Sequence, residues 1–326
     1  MTLAEQVLAG DRLALARLLT LVENDDAQGL AALDELYPHS GTAHLIGLTG
    51  GTGTGKSTLV NQLARYVRSE GIRNTDGGQS PVRVAVVAVD PTSPFTGGAI
   101  LGDRIRMRDL AGDAGVFIRS MATRGALGGL ANRTRPVVQT LDAAGFDWIL
   151  IETVGAGQSE VEVARMAHTT IVVEAPGLGD EVQAIKAGIL ETADLLVLNK
   201  ADLPGAERAA AALRTSLRLG SPDPMGEGTG WTVPILMTVA TDGAGVAELV
   251  ESLCQHRQYL AASGEWERRV RLRVEREVRD LLQRDLLARL LDRQADGRFD
   301  QILGQVEARQ LSPRAAVDLL MRQAGS

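Results

Sequence analysis

The chain is short of several things, and each shortage excludes a class of function. Aromatic residues are 3% of its 326 residues. That argues against a platform on which single-stranded nucleic acid stacks. The single cysteine, Cys254, cannot form an internal disulfide or a multi-cysteine zinc site, and it suits a reducing compartment. Positive charge is not in excess: 34 Lys and Arg face 41 Asp and Glu, for a net charge of -7. The basic footprint of a nucleic-acid binder is therefore missing. No apolar run approaches the ~18 residues that span a bilayer. The longest strong run, Val84 to Val89, is strand-sized. The first residues carry Glu5 and no basic stretch ahead of an apolar one, so no targeting segment is read. These absences predict a soluble, cytoplasmic protein with neither nucleic acid nor membrane as partner. Lysine is the scarcest charge. Only Lys56, Lys186 and Lys200 stand among the 34 cations. Genomic base composition accounts for the arginines, and the surviving lysines are worth locating.

What is present is a globular composition, 44% apolar, in a chain long enough for a large core with appended elements. Residues 1–41 read as a helical segment, with an apolar face around Leu13, Ala16 and Leu18 to Val22. From His44 to about Thr238, short β-branched runs alternate with helical stretches. The expected strands are His44–Thr49, Val82–Val89, Val116–Ile118, Asp147–Ile151, Thr170–Glu174, Asp194–Leu198 and Val233–Met237. Helices are expected at Lys56–Ser69, Gly129–Ala144 and Glu181–Leu190. Nearly continuous apolar strands alternating with helices predict an α/β fold, a mostly parallel sheet covered on both faces. In such sheets ligands sit at the carboxyl ends of the strands. Residues 42–262 are expected to form this domain and 263–326 a C-terminal helical arm. In the arm Trp266, Val270, Val274, Val278, Leu282, Leu286 and Leu290 recur every four residues as an amphipathic stripe.

The motifs fall at strand ends. Gly50-Gly51-Thr52-Gly53-Thr54-Gly55-Lys56-Ser57, followed by Thr58, fits G-x-x-x-x-G-K-[ST] between an expected strand and an expected helix. The glycines let backbone N–H groups turn inward onto phosphate oxygens, and the helix N-terminus adds positive partial charge. Lys56 supplies a compact cation for the β and γ phosphates, and the Ser57 hydroxyl is placed for Mg²⁺. Asn199-Lys200-Ala201-Asp202 ends the strand Asp194–Leu198 and matches N-K-x-D. The Asp202 carboxylate can accept from guanine N1–H and N2–H₂ together, a pair of donors that adenine lacks on that edge. Lys200 can lie along the base, and Asn199 can tie this loop to the phosphate loop. Val239-Ala240-Thr241 occupies the slot where a backbone N–H meets guanine O6.

Mg²⁺ needs hard oxygens. Asp90 and Glu152 end two strands close to where it would sit. Glu152-Thr153-Val154-Gly155 resembles the D-x-x-G switch with Glu for Asp, and the Gly155 N–H could meet the γ-phosphate. Residues 91–104 form a proline- and glycine-rich loop that reads as a lid. From it Asp103 could reach the metal, and Arg104, Arg106 or Arg108 could neutralise charge.

Together these segments resemble the methylmalonyl-CoA mutase-associated GTPase family (MeaB-like, also called ArgK-like). The resemblance covers about residues 10–320. Its most specific pieces are residues 89–98 with 100–103, residues 152–160, and Gly179-Asp180-Glu181-Val182-Gln183-Ala184-Ile185-Lys186-Ala187-Gly188. It implies a P-loop fold and a homodimeric G-protein chaperone for an adenosylcobalamin-dependent acyl-CoA mutase, which couples GTP binding and hydrolysis to cofactor loading and protection. It implies GTP/GDP and Mg²⁺ as ligands, with adenosylcobalamin only indirectly through the partner. It carries Ser57, Asp90, Asp103 and Glu152 over as metal-linked residues. With Lys56, the three carboxylates make up the catalytic set. Residues 177–186 would be a third switch, with Gln183 and Lys186 as the relay to the partner, and the arm would be the dimer contact. There are departures. Gly51 and Thr52 stand where the family has a proline nearby, residues 74–81 are extra, and Val239 replaces a serine. No Gln follows Gly155 directly. An ATP-using transport-associated kinase, suggested by the ArgK-like label, is the alternative. A metal-delivery GTPase would call for a His or Cys cluster, whereas the four histidines (His39, His44, His168, His256) are scattered along the chain.

Overall fold

The computed structural model describes residues 1–73, 79–91, 108–110, 112–123, 129–153, 158–177, 190–220, 230–292 and 297–324. The chain opens with three helices, α1 (Leu3–Leu8), α2 (Arg12–Glu23) and α3 (Ala27–Leu36). Each starts where a side-chain oxygen takes orphan backbone N–H groups: Thr2 before α1, Asp11 before α2 and Asp26 before α3. In α2 the core face is Leu15, Leu18, Leu19 and Val22, whereas Leu13 is 83% exposed and lies off it.

β1 (His44–Thr49) and α4 (Lys56–Ser69) follow, then β2 (Ile72–Arg73), β3 (Gln79–Ser80), β4 (Val84–Pro91), β5 (Val116–Thr123) and α5 (Gly129–Ala143). Next come β6 (Trp148–Thr153), α6 (Gln158–Met166), β7 (Thr169–Glu174), β8 (Leu195–Leu198), α7 (Ala206–Gly220), β9 (Ile235–Met237) and α8 (Val246–Ser263). The chain ends in α9 (Glu265–Asp292), α10 (Arg298–Glu307) and α11 (Pro313–Ala324). Seven strands form one sheet in the order β5-β4-β6-β1-β7-β8-β9, and its pairings are parallel. β2 and β3 make a separate antiparallel pair.

Three strands run further than their expected limits, and β5 reaches Thr123 rather than Ile118. β4 extends to Pro91 and β6 to Thr153, so Asp90 and Glu152 lie within the ladder rather than beyond it. The cause is register: Ala88 opposes Glu152, Val89 opposes Thr153 and Pro91 opposes Thr123. Pairing with neighbours on both sides carries a strand past its last apolar residue. The expected helix 181–190 lies outside the described residues except for Leu190.

Alternation along the central strands sorts the core into two layers. Leu45, Ala85, Val87, Ile149 and Ile151 face α2, α5 and α6. Ile46, Leu48, Val84, Val86 and Leu150 face α4 and α8. The N-terminal helices therefore close one side of the sheet. Asp142 of α5 fixes the entry to β1 by accepting from the N–H groups of Gly41 (2.6 Å), Thr42 (3.1 Å) and Ala43 (3.0 Å). The chain divides into two compact units, Met1–Val270 and Arg271–Ser326. The second has its own small core of Ile302, Ala316 and Leu320, packed with Leu290, Val306 and Leu311.

Candidate functional site

The central strand β1 runs into Gly50, whose φ is +134°. A β-carbon there would come within 2.0 Å of the Val173 carbonyl oxygen of β7. Only glycine lets the loop turn this tightly against the neighbouring strand. Gly55, at φ +93°, caps α4, and a β-carbon there would stand 2.3 Å from Asn199 Nδ2. The loop between them is curled on itself, with the Thr54 hydroxyl donating to the Gly51 carbonyl at 3.0 Å. Lys56 Nζ donates to the carbonyls of Gly50 and Gly51, each at 2.8 Å, although the residue is 5% exposed. Burial lowers the Lys56 pKa, and the carboxylates of Glu152, Glu160 and Glu174 pull the other way.

Ser57, next along α4, donates to Glu152 Oε1 at 2.5 Å. β6 lies beside β1, with Leu48 opposite Glu152, which brings this carboxylate to the foot of the phosphate loop. A hydroxyl and a carboxylate converging beside a phosphate loop are the hard oxygens that Mg²⁺ takes. Asp90 lies on β4, opposite Ala122. Asp103, Arg104, Arg106, Gly155, Gln183 and Lys186 lie outside the described residues.

The second loop follows β8. Asn199 holds both loops together. Its Nδ2 donates to the Thr54 carbonyl at 2.8 Å, and its Oδ1 accepts from the Thr238 hydroxyl at 3.1 Å and the Ala240 N–H at 3.0 Å. Lys200 takes a left-handed conformation, φ +57°, and its Nζ reaches the Gly53 carbonyl at 2.7 Å. A non-glycine residue there carries about 1–2 kcal/mol of strain, held by bonds on both sides. A cavity of about 190 Å³ opens between the loops, lined by Gly55, Thr58, Asn199, Lys200, Asp202, Leu203 and residues 239–241. Asp202 is exposed on its wall. The Val239 N–H is taken by the Ala244 carbonyl and the Ala240 N–H by Asn199. Of that segment, the Thr241 amide is thus the better candidate donor toward a ligand. The arrangement can hold a phosphate chain at one end and a planar base edge at the other.

Two groups escape sequence reasoning. The carboxylates of Glu160 and Glu174 act on Lys56 through space. The signal for Glu174 was a carboxylate ending an apolar strand, the same signal that marks Glu152. At the other end of the sheet, three of the four histidines converge although the sequence scatters them. His44 Nε2 and Thr169 Oγ1 lie 2.7 Å apart, and Thr169 Oγ1 and His256 Nδ1 2.8 Å. His256 Nε2 lies 3.3 Å from Asp194. The His168 ring packs on Trp266 at 3.9 Å between centroids. Burial pushes the His44 pKa well down, keeping it neutral. Among the described residues there is no group of three or more His, Cys, Asp or Glu that could hold a metal. Nor is any helix among them long and apolar enough to cross a membrane.

The family model described as methylmalonyl Co-A mutase-associated GTPase MeaB matches residues 15–295. A probable GTPase of Mycobacterium tuberculosis is 45% identical over 278 residues, 82% of this chain and 78% of that protein. GTPase ArgK of Escherichia coli is 35% identical over 324 residues, 97% of this chain and 95% of that one. A crystal structure of a LAO/AO transport system kinase superposes with a TM-score of 0.70 at 28% identity, covering 99% of this chain and 97% of the other. The chain belongs to the methylmalonyl-CoA mutase-associated GTPase MeaB family.

Proposed function

We propose that this GTPase is a Mg²⁺-dependent nucleotide switch that acts as a homodimeric chaperone for an adenosylcobalamin-dependent acyl-CoA mutase. The observation that carries the nucleotide reading is Asn199, which bonds the phosphate loop through Thr54 and the base loop through Ala240. Residues 50–58 would cradle the phosphates, with Lys56 turning from loop carbonyls toward phosphate oxygens. Asp202 would read the guanine edge, with Lys200 along the base. Ser57 and Glu152, with Asp90 and Asp103, would hold Mg²⁺, which when bound offsets charge on the β and γ phosphates. Gly155 would answer the γ-phosphate, and Gln183 and Lys186 would relay nucleotide state. The cobalamin would stay on the mutase.

The dimer reading is supported by the arm. Val274, Val278, Leu282 and Leu286, at four-residue spacing, are 37–57% exposed. A polar face would be expected on a helix that stays unpartnered. The mutase reading is supported by the family description. Its test is binding of the chain to candidate acyl-CoA mutases with a non-hydrolysable GTP analogue and with GDP. The expected result is at least a tenfold difference in affinity between the two states, since only differential binding makes a switch. Equal affinities would refute the coupling.

A second reading, an ATP-using transport-associated kinase, is favoured by the description of the superposed structure. Asp202 opposes it, because adenine would leave that carboxylate without donors. Competition between GTP and ATP separates the two.

A further inference from the structure

The amino ends of the central strands, at the far end of the sheet from the phosphate loop, hold a buried row of three hydrogen-bonding atoms. His44 opens β1, Thr169 opens β7 and His256 lies on α8, and each residue is 0% exposed. His44 Nε2 stands 2.7 Å from Thr169 Oγ1, which stands 2.8 Å from His256 Nδ1. Two contacts hold two hydrogens. The Thr169 hydroxyl brings one, and one of the imidazoles brings the other.

The surroundings set their order. His256 Nε2 faces Asp194 Oδ1 at 3.3 Å, off the axis of a good hydrogen bond, where a bare nitrogen would meet the carboxylate lone pair to lone pair. His256 Nε2 therefore carries the hydrogen, and its Nδ1 accepts from the Thr169 hydroxyl. Thr169 Oγ1 accepts in turn from His44 Nε2, which leaves His44 Nδ1 bare. Among the described residues His44 Nδ1 has no hydrogen-bond partner, so a hydrogen placed there would be stranded. Trp148 Nε1, on the residue paired with His44 across the ladder, has no partner either, and as a donor only it offers that hydrogen no acceptor.

A third hydrogen has no place in this row. Added to His44, it goes to Nδ1. Added to His256, it turns Nδ1 into a donor, sends the Thr169 hydrogen toward His44 Nε2 and displaces the His44 hydrogen to Nδ1. Either way one N–H is buried without an acceptor. Nor is there spare negative charge to hold the proton. The charged and titratable groups around the row are His168 before β7, Asp194 before β8, Arg257 of α8, and Glu265 and Arg269 of α9. Asp194 is already bonded by both terminal nitrogens of Arg269, and Glu265 by Arg268. We propose that this row is an acid-sensitive latch: it ties the amino ends of β1 and β7 to α8 while it carries two hydrogens, and it gives way when acid adds a third.

The electrostatics point the same way. Burial, then Arg257 and His256, push the His44 pKa well below its ordinary 6.5, with Asp194 opposing. The unfolded chain takes up this proton near pH 6.5, and the folded chain refuses it. The stability is therefore complete above about pH 6.5 and is lost as pH falls below it, by up to about tenfold in the folded-to-unfolded ratio per pH unit.

The test has two readouts on the full chain. By ¹⁵N NMR of histidine-labelled protein at pH 7.5, His44 and His256 should both be protonated on Nε2 and bare on Nδ1, and Thr169→Ser, which keeps the hydroxyl, should preserve both states. Urea unfolding from pH 8 to 5.5, followed by tryptophan emission, reads the latch itself. His44→Gln keeps an amide donor for Thr169 but does not titrate. Relative to wild type it should gain up to about tenfold in the folded-to-unfolded ratio between pH 6.5 and 5.5. A hydrogen on Nδ1 of either histidine at pH 7.5 overturns the proposal, as does a difference between wild type and His44→Gln that stays constant over that range. Should His44→Gln not fold, the wild-type spectra decide alone: a His44 ring that titrates near pH 6.5 in the folded protein overturns the latch.

Discussion

Arg269→Ala should cost the first unit about 3 kcal/mol, from the loss of one doubly bonded ion pair whose carboxylate is buried and whose guanidinium is half-buried. Arg269 donates to both oxygens of Asp194, at 2.8 and 2.9 Å, and to the His168 carbonyl at 2.6 Å. Asp194 is 7% exposed, so removing the guanidinium strands a carboxylate away from water. Breaking such a pair costs roughly 3–5 kcal/mol. The lower end applies here, because Asp194 keeps the Thr170 N–H at 2.8 Å and His256 Nε2 at 3.3 Å. The electrostatics of Asp194 point in the same direction. Burial raises the Asp194 pKa, but the hydrogen bonds and charges of His256 and Arg269 outweigh it and hold the carboxyl at about 2, below its ordinary 3.8. A depression of nearly two units is worth ~2.5 kcal/mol, and Arg269 shares it with His256. Because the folded pKa is depressed, this stability is complete above the unfolded value and is lost as pH falls through the folded one. The wild type–variant difference should therefore be constant from pH 7 to 5 and shrink below about pH 4. Urea unfolding followed by tryptophan emission reads the right region. All three tryptophans lie in the first unit, Trp231 Nε1 donates to the Asp194 carbonyl at 2.7 Å, and Trp266 packs on His168. A loss under about 1 kcal/mol, within the range of an exposed pair, would refute the argument. So would a difference that persists undiminished at pH 3.

Other outcomes follow from the same geometry. Gly50→Ala must place a β-carbon 2.0 Å from the Val173 carbonyl and should cut binding of a fluorescent GDP at least about 100-fold. Gly53→Ala, with open space at that position but φ +81°, should cost only about 1–2 kcal/mol of loop strain, read as a modest loss of affinity. Asp202→Asn should lower GTP affinity at least about 100-fold and raise that for xanthosine triphosphate, measured by competition. Val278→Asp with Leu282→Glu, at positions 57% and 56% exposed, should leave helix content unchanged and convert a dimer to monomer in sedimentation. A dimer that survives the double substitution would remove the arm as its contact.

Much of the molecule was legible in its residues. The apolar runs at 44–49, 169–174 and 195–198 are strands because they are buried on both faces, and nothing but a two-sided core asks for such runs. The phosphate and base motifs are local: spacing alone sets which backbone and side-chain groups can meet a phosphate or a base. What spacing cannot give is the company those residues keep. The strand limits at Asp90 and Glu152 came from ladder register. The carboxylates around Lys56 come from residues about 100 to 120 positions away, brought there because β6 and β7 flank β1. The histidines that look scattered meet because β1, β7 and α8 share one end of the sheet, and only the tertiary structure could reveal that His44 and His256 join through Thr169. The three lysines divide in the same way. Sequence placed Lys56 and Lys200 in their motifs. The fold decided that one is buried among carboxylates and the other clasps the phosphate loop, because charge in a protein acts through space and not along the chain.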